Sequence, residues 1–178
     1  MRVIAGRFRS RKLKTISGLA VRPTPDRLRE ALFNVLAPRI TGTVFLDAYA
    51  GSGAVGIEAL SRGAKEVILI ERKPAAITVI RENLRSLKIE VEATVVRGSV
   101  SVLLPNYPAD IVFIDPPYDQ EQEYGKTLLT LSQTASRLVI AQHASRLNLE
   151  EKYGDLTKIR VLKQGDNSLS FYEPAKSK

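Results

Sequence analysis

A short apolar segment leads directly into a glycine-rich turn, and the turn opens a helical pattern. The segment Val44–Asp47 has strand-type residues and ends in an acid, and Gly51, Gly53 and Gly56 follow it. Glycine lets the backbone approach a ligand closely, and free N–H groups at the start of a helix point outward. The three glycines also match the dinucleotide-binding fingerprint. This stretch predicts a nucleotide site, and the alternative is a tight strand-to-helix turn without a ligand.

The chain beyond this turn alternates strand-type and helix-type segments. Such alternation predicts a doubly wound α/β fold, in which a mostly parallel sheet of order 3-2-1-4-5 carries helices on both faces. Two last strands around residues 164–167 predict a C-terminal antiparallel hairpin. The predicted strands are residues 66–71, 92–97, 110–115, 137–142, 158–163 and 168–172, and the predicted helices are residues 74–88 and 120–131.

Positive charge is concentrated at the start of the chain. Residues 1–39 hold ten Lys or Arg against two acids, which accounts for the whole formal net charge of +8. A basic segment on a neutral body predicts a polyanionic partner such as nucleic acid, and a solvated tail is the alternative. We predict a basic β-hairpin arm over residues 1–22, with strands at 2–5 and 12–15, and one domain over 23–178. We expect Phe8 to pack on the body rather than to stack on a base.

Capping residues predict where the first helix begins. Thr24 suits the N-cap, Pro25 suits the first helical position, and Asp26 favours the positive end of the helix dipole. The apolar residues that follow recur at helical spacing and predict a buried stripe, whereas Arg27 and Arg29 lie off that stripe.

Composition excludes several classes of protein. The chain has no Cys, which excludes disulfides and thiolate metal sites. No apolar run is long enough to span a membrane, and no signal peptide opens the sequence. We therefore predict a single globular domain that acts in the cytoplasm.

Three acids end predicted strands that are distant in the sequence. In a doubly wound sheet, ligands bind beyond the carboxyl ends of the strands, near the point where the winding reverses. We therefore expect Asp47, Glu71 and Asp115 to line one crevice. Glu71 lies about 20 residues beyond the glycines, where a carboxylate can accept ribose hydroxyls and opposes a 2′-phosphate. The alternative for Glu71 is a solvated acid or an ion pair with Arg72.

The run Asp115-Pro116-Pro117-Tyr118 is a more specific signal. Proline has no N–H and restricts the residue before it, so the Asp115 carboxylate and the Pro116 carbonyl form a stiff pair of acceptors. This pair fits the two N–H bonds of a planar exocyclic amine, and the base can stack on Tyr118. The alternative is a rigid strand-end turn with Tyr118 packed inside.

With these residues identified, the chain resembles the Rossmann-like, S-adenosylmethionine-dependent methyltransferases. It resembles more closely the bacterial small-subunit (16S) ribosomal RNA guanine-N2 methyltransferases, over nearly the whole chain. Two positions depart from that family's pattern. Ser99 follows Gly98 where Asp is common, and Gln142-His143 stands where Glu-His is frequent. The segments that carry the resemblance are residues 22–24, 26–34, 46–56, 58–64, 115–118 and 169–172.

The resemblance implies roles for particular residues. Asp115 and Pro116 would orient the guanine amine and Tyr118 would stack on the base, without a metal. This mechanism needs no histidine, so we expect a structural role for His143. The implied partner is ribosomal RNA or the small ribosomal subunit, and we expect the enzyme to be a monomer. The residues implied to bind S-adenosylmethionine are Asp47, Gly51, Ser52, Gly53, Glu71, Arg72 and Ser99. Those implied to bind RNA are Arg7, Arg9, Arg11, Lys12, Lys14, Arg22 and Arg27.

Three alternative functions stay open. An adenine-N6 methyltransferase acting on DNA or RNA would use the same amine geometry. A nicotinamide-dependent oxidoreductase would use the three glycines, but it leaves the proline turn and the basic arm without a role. A non-catalytic RNA-binding module with a relict cofactor fold is the third.

Overall fold

The computed structural model describes residues 1–16, 25–117, 120–134 and 136–175. Its helices are α1 (Asp26–Leu36), α2 (Ala54–Ser61), α3 (Pro74–Ser86), α4 (Val100–Leu103) and α5 (Gln122–Leu131). Its strands are β1 (Val44–Asp47), β2 (Glu66–Glu71), β3 (Ala93–Arg97), β4 (Ile111–Ile114), β5 (Leu138–Ala144), β6 (Lys152–Tyr153), β7 (Leu156–Gln164) and β8 (Asn167–Pro174).

The strands form one sheet in the order β3-β2-β1-β4-β5-β8-β7-β6. The first five strands are parallel, which confirms the predicted order 3-2-1-4-5. The antiparallel C-terminal hairpin of β7 and β8 is also confirmed, and β8 adjoins β5. No helix separates β7 from β8, so the chain returns by a tight turn and the strands run antiparallel. The short strand β6 was not predicted.

Helices cover both faces of the sheet. One apolar cluster joins the sheet to α1, α2 and α3 and includes Val3 and Leu13 from the start of the chain. A second cluster on the other face joins the sheet to α4 and α5. Because both faces are buried, β4 is apolar at every position rather than alternating. Within the described ranges, no helix combines the length and the apolar character that crossing a bilayer requires.

Helix α1 departs from the prediction in two ways. It begins at Asp26, so Pro25 precedes the helix instead of occupying its first position, and Thr24 lies outside the described residues. Arg29 was expected off the apolar stripe, but its side chain is 0% exposed. Its Nη2 donates to the carbonyl of Arg2 at 2.6 Å and to Asp26 Oδ1 at 3.0 Å. The prediction for Arg29 was wrong because residues near the start of the chain cover that side of the helix.

The N-terminal segment, defined here as residues 1–16, is not confirmed as a two-stranded hairpin. A single antiparallel bridge joins Arg2 to Lys12. The backbone N–H groups of Ile4 and Ala5 bond to the carboxylate of Glu58 on α2 rather than to an opposite strand. The segment therefore packs on the body of the protein, and Phe8 packs against the core as predicted.

Candidate active site

The glycine turn between β1 and α2 has open backbone on one side and close packing on the other. Gly51 and Gly53 have φ angles of 55° and 78°, in the region that favours glycine. A Cβ at Gly51 would meet no atom within 4 Å, so the space beside it is open. A Cβ at Gly56 would approach Leu69 Cδ2 to 2.7 Å, because α2 lies close against β2. A ligand can therefore approach the backbone of this turn.

Asp47 ends β1 beneath the turn. Its side chain is buried, with the residue 2% exposed, and Oδ2 accepts a hydrogen bond from the Gly56 N–H at 3.1 Å. Burial raises the pKa of Asp47 to about 7, and the charge of Glu71 acts in the same direction. Asp47 therefore holds the start of α2 and changes its charge near neutral pH.

Glu71 ends the neighbouring strand β2 and bonds to the same turn. Its Oε2 accepts from the Gly51 N–H at 2.9 Å. Its Oε1 accepts from the backbone N–H groups of Arg72 and Lys73, at 2.9 and 2.8 Å. A carboxylate oxygen has more than one lone pair, so Glu71 can still accept from a ligand.

Ser99 lies beside the end of β2. The Gly98 N–H donates to the Glu71 carbonyl at 3.2 Å, which brings the turn after β3 next to Glu71. The Ser99 hydroxyl bonds to the Ser101 hydroxyl at 3.0 Å. The ends of β1, β2 and β3 thus bring together all of the residues predicted to bind the cofactor, namely Asp47, Gly51, Ser52, Gly53, Glu71, Arg72 and Ser99.

Asp115 follows β4, the strand on the other side of β1. Asp47 is paired with Phe113 in that ladder, and the Ala48 N–H donates to the Phe113 carbonyl at 2.9 Å. Burial raises the pKa of Asp115 to about 8, and the Asp47 carboxylate contributes to the rise. The two acids are therefore close enough to interact, as expected from their strand ends. Pro116 is buried, and Tyr118 lies outside the described residues.

Gln142 is a site residue that the sequence analysis did not assign. It lies on β5, is 2% exposed, and its Nε2 donates to Asp115 Oδ2 at 3.0 Å. Asp115 Oδ1 has no hydrogen-bond partner among the described residues. The register of β4 and β5, which pairs Ile114 with Ala141, sets Asp115 and Gln142 side by side. The departure from Glu at this position was the one sequence signal that pointed to it.

His143 is held by hydrogen bonds within the sheet. Its Nδ1 donates to the Ala144 carbonyl at 2.9 Å, which leaves Nε2 to accept from the Ser170 hydroxyl at 2.8 Å. Burial lowers the pKa of His143, which favours the neutral ring. These contacts support a structural role for the residue.

The residues predicted to bind RNA differ in the partners that their side chains contact. Arg7 pairs with Glu92 at 2.6 Å, and Lys14 pairs with Glu82 at 3.0 Å. Arg11 Nη2 donates to the Ser86 carbonyl at 3.1 Å. The exposed side chains of Arg9, Lys12 and Arg27 have no partner among the described residues, and Arg22 lies outside them.

The parallel strand order, the glycine turn after β1 and the acid after β4 define a Rossmann-like methyltransferase. Solved structures agree. The Escherichia coli candidate methyltransferase yhhF matches with a TM-score of 0.85 and 34% identity over 99% of both chains. A candidate RNA methyltransferase from Pyrococcus horikoshii matches with a TM-score of 0.78 and 26% identity, over 92% of this chain and 93% of that one. The chain belongs to the family described as conserved hypothetical protein 95, whose model matches residues 1–173.

Several relatives are named as methyltransferases of ribosomal RNA. The Bacillus subtilis candidate rRNA methyltransferase YlbH is 35% identical over 183 residues, which cover 97% of this chain and 98% of YlbH. The Escherichia coli ribosomal RNA small subunit methyltransferase D is 44% identical over 119 residues, which cover 66% of this chain and 60% of the relative. The resemblance to the bacterial small-subunit ribosomal RNA methyltransferases is thereby confirmed.

Proposed function

We propose that this protein transfers a methyl group from S-adenosylmethionine to the exocyclic N2 amine of a guanine in 16S ribosomal RNA. The observation that carries the proposal is the direct pairing of β1 with β4, which sets Asp47 opposite Phe113 and brings Asp115 within electrostatic reach of Asp47. A cofactor turn and an acceptor for an amine thus lie at neighbouring strand ends.

The glycine turn fits S-adenosylmethionine. The open space beside Gly51 lets a ligand approach the backbone, and the Glu71 carboxylate is placed to accept from ribose hydroxyls. We propose that Asp47, Ser52 and Gly53 complete this contact, with Arg72 and Ser99 at its margin. When bound, S-adenosylmethionine supplies an electrophilic methyl group attached to sulfur.

Asp115 and Pro116 prepare the guanine amine. An aromatic amine is a poor nucleophile because its lone pair is delocalised into the ring. The Oδ1 of Asp115, which has no partner among the described residues, and the carbonyl of Pro116 accept its two N–H bonds. This directs the lone pair away from the ring and stabilises positive charge on nitrogen. The Asp115 carboxylate then takes the proton that the methylated nitrogen releases. Tyr118 is proposed to stack on the base after it leaves its own stack.

The N-terminal segment is proposed to bind RNA phosphates. Arg9 and Lys12 are available because their side chains have no partner among the described residues. Arg7 and Lys14 would exchange exposed carboxylate partners, Glu92 and Glu82, for phosphate. Such exposed pairs contribute only about 0–1 kcal/mol, so the exchange costs little. Arg11, Arg22 and Arg27 complete the proposed interface.

We propose a monomer that works in the cytoplasm, where its ribosomal substrate is assembled. One chain supplies the glycine turn, the paired acids and the basic segment. Analytical ultracentrifugation with and without ribosomal RNA tests the monomer directly, and a stable dimer would contradict it.

Labelled methyl transfer to purified 16S ribosomal RNA and to small subunits tests the reaction, with the modified nucleoside identified by mass spectrometry. We expect N2-methylguanosine from the wild type. We expect Asp115→Ala to lower kcat by 100-fold or more, on the order of the loss of one transition-state contact, with S-adenosylhomocysteine affinity nearly unchanged. Asp155→Asn, an exposed acid on the turn before β7, serves as the control.

Other results would favour one of the alternative functions or overturn the role of Asp115. N6-methyladenosine as the product would support the adenine-N6 alternative instead. Turnover retained in Asp115→Ala would overturn the role of Asp115. Binding of RNA without any methyl transfer by the wild type would favour the non-catalytic module.

A further inference from the structure

One buried side chain on α3 bonds both to the N-terminal segment and to the glycine turn. Asn83 is 1% exposed. Its Oδ1 accepts from the Lys14 N–H at 2.8 Å, and its Nδ2 donates to the Lys14 carbonyl at 3.0 Å. Nδ2 also donates to the Ser52 carbonyl at 3.0 Å. All of the hydrogen-bonding groups of this amide are used, so it joins two segments that are distant in the sequence.

The N-terminal segment is also attached to α2, the helix that the glycine turn opens. Glu58 Oε2 accepts from the Ile4 N–H at 2.8 Å, and Oε1 accepts from the Ala5 N–H at 3.0 Å. Near the start of the same helix, the Gly56 N–H bonds to Asp47. The segment therefore contacts both helices that flank the proposed cofactor turn.

The outer side of this segment carries the proposed phosphate contacts. Arg9 and Lys12 are exposed, and the ammonium group of Lys14 pairs with Glu82 at the surface. The backbone of Lys14 is held by Asn83. A phosphate bound here would restrict the backbone that Asn83 contacts. Because the Asn83 amide also donates to the Ser52 carbonyl, restricting the Lys14 backbone would also restrict the backbone of the glycine turn.

We propose that Asn83 is a positioning residue that couples RNA binding by the N-terminal segment to S-adenosylmethionine binding at the glycine turn. This inference rests on the proposed function of both surfaces. Coupling between two binding sites is reciprocal, so each ligand tightens the binding of the other by the same factor. We expect a factor of about fivefold or more, the lower end of ordinary coupling between sites.

The affinity of the full chain for transcribed 16S ribosomal RNA is measured with and without saturating S-adenosylhomocysteine. The wild type should bind RNA about fivefold or more tightly in its presence. Asn83→Asp keeps the acceptor for the Lys14 N–H but loses both donated bonds and places a carboxylate beside the Ser52 carbonyl. We expect the ratio to fall to about one in this variant, while RNA affinity without the cofactor product changes little.

Glu82→Gln is the matched control, one residue away on α3. It removes the surface ion pair with Lys14 and leaves Asn83 in place, so RNA affinity rises in both conditions and their ratio persists. A purely structural Asn83 would instead lower stability in Asn83→Asp without changing the ratio. That result would overturn the inference.

A measurement on the wild type covers the case in which Asn83→Asp does not fold. Addition of S-adenosylhomocysteine should slow amide hydrogen exchange in residues 12–16 of the N-terminal segment, and RNA should slow it in residues 50–53. Two ligands that bind without affecting each other would overturn the coupling and leave the proposed function intact. The proposed function, and the inference with it, would be overturned if the wild type did not bind S-adenosylhomocysteine, or if it bound neither 16S ribosomal RNA nor small subunits.

Discussion

The side-chain amide of Gln142 and the carboxylate of Asp115 are joined by a 3.0 Å hydrogen bond across the parallel strands β5 and β4. The bond uses Oδ2 of Asp115, so Oδ1 is the oxygen that we propose accepts from the amine. Since Gln142 is buried and its backbone carbonyl accepts from the Tyr124 hydroxyl at 2.6 Å, the donor is fixed before any substrate binds. Preorganised donors and acceptors of this kind need no rearrangement during the reaction.

Replacement of Gln142 by Glu tests this relationship. A second carboxyl group beside Asp115 removes the donated hydrogen bond and adds like charge, and both effects raise the pKa of Asp115 further. We expect the pH at which kcat/KM rises to half of its plateau value to increase by about one unit. Gln142→Met removes the donor without adding charge and should therefore raise this midpoint pH by less. A profile that stays in place in Gln142→Glu would contradict the role of Gln142.

The wild-type rate should rise with pH. The pKa of Asp115 is raised to about 8, so the acid is largely protonated at neutral pH in the free protein. A protonated carboxyl cannot take the proton from the amine, and ionisation restores that capacity. We therefore expect kcat/KM to increase as pH rises toward 8 and then to level off. A rate that is constant from pH 6.5 to 9 would refute a role for ionised Asp115.

The free energy of unfolding should fall as pH rises, whereas the rate should increase. The pKa of Asp115 in the folded protein is about 8, well above the ordinary aspartate value of 3.8, so the native state binds an extra proton between these two pH values. The stabilisation from that proton is complete below about pH 4 and is lost as pH rises through 8. Urea unfolding at pH 5 and 8.5 should show a larger decline in the wild type than in Asp115→Asn. Equal declines would show that Asp115 does not carry this linkage.

Gly6 tests how the N-terminal segment is attached. Its φ angle is 81°, and a Cβ there would overlap the backbone carbonyl of Ser61 on α2. Gly6→Ala should displace the segment and lower the free energy of unfolding by more than the roughly 1–2 kcal/mol of the left-handed conformation alone. Gly42→Ala is the control, because Gly42 has a φ of 76° but its Cβ would meet nothing within 4 Å. Equal losses in the two variants, measured by urea unfolding, would argue against the close contact.

Salt dependence tests the phosphate contacts. Replacing Arg9 and Lys12 by Gln removes two exposed positive charges that have no partner among the described residues. The slope of log K for RNA against log salt should become shallower by about 1.4 to 1.8, since each contact contributes roughly 0.7 on single strands and 0.9 on duplex. The same charge change at Arg160 and Lys163 on β7 should leave the slope as it is. A slope unchanged by the Arg9 and Lys12 substitutions would exclude those contacts.

The sequence predicted the parts of the structure that follow from local patterns. The alternation of strand-type and helix-type runs predicted a doubly wound sheet and its order. Given that order, the positions of Asp47, Glu71 and Asp115 at strand ends predicted that these acids lie near one another, because parallel strands share one carboxyl edge. The glycine turn was also local, since its left-handed residues had to be glycines.

Contacts between segments that are distant in the sequence could not be predicted from such local patterns. Arg29 and Asn83 look like ordinary polar residues of amphipathic helices, yet both are buried under the N-terminal segment. Their burial depends on where that segment lies, and nothing within α1 or α3 encodes it. Gln142 was missed for the same reason, because its contact depends on the register between β4 and β5.

The insertion of β8 between β5 and β7 determines when the site can be completed during translation. β5, which carries Gln142 and His143, gains its second neighbour, and Ser170 reaches His143, only after residues 167–174 have emerged from the ribosome. A nascent chain that already displays the glycine turn therefore still lacks the support behind Asp115. The support behind Asp115 therefore waits for residues 167–174, which follow all of the predicted site residues along the chain.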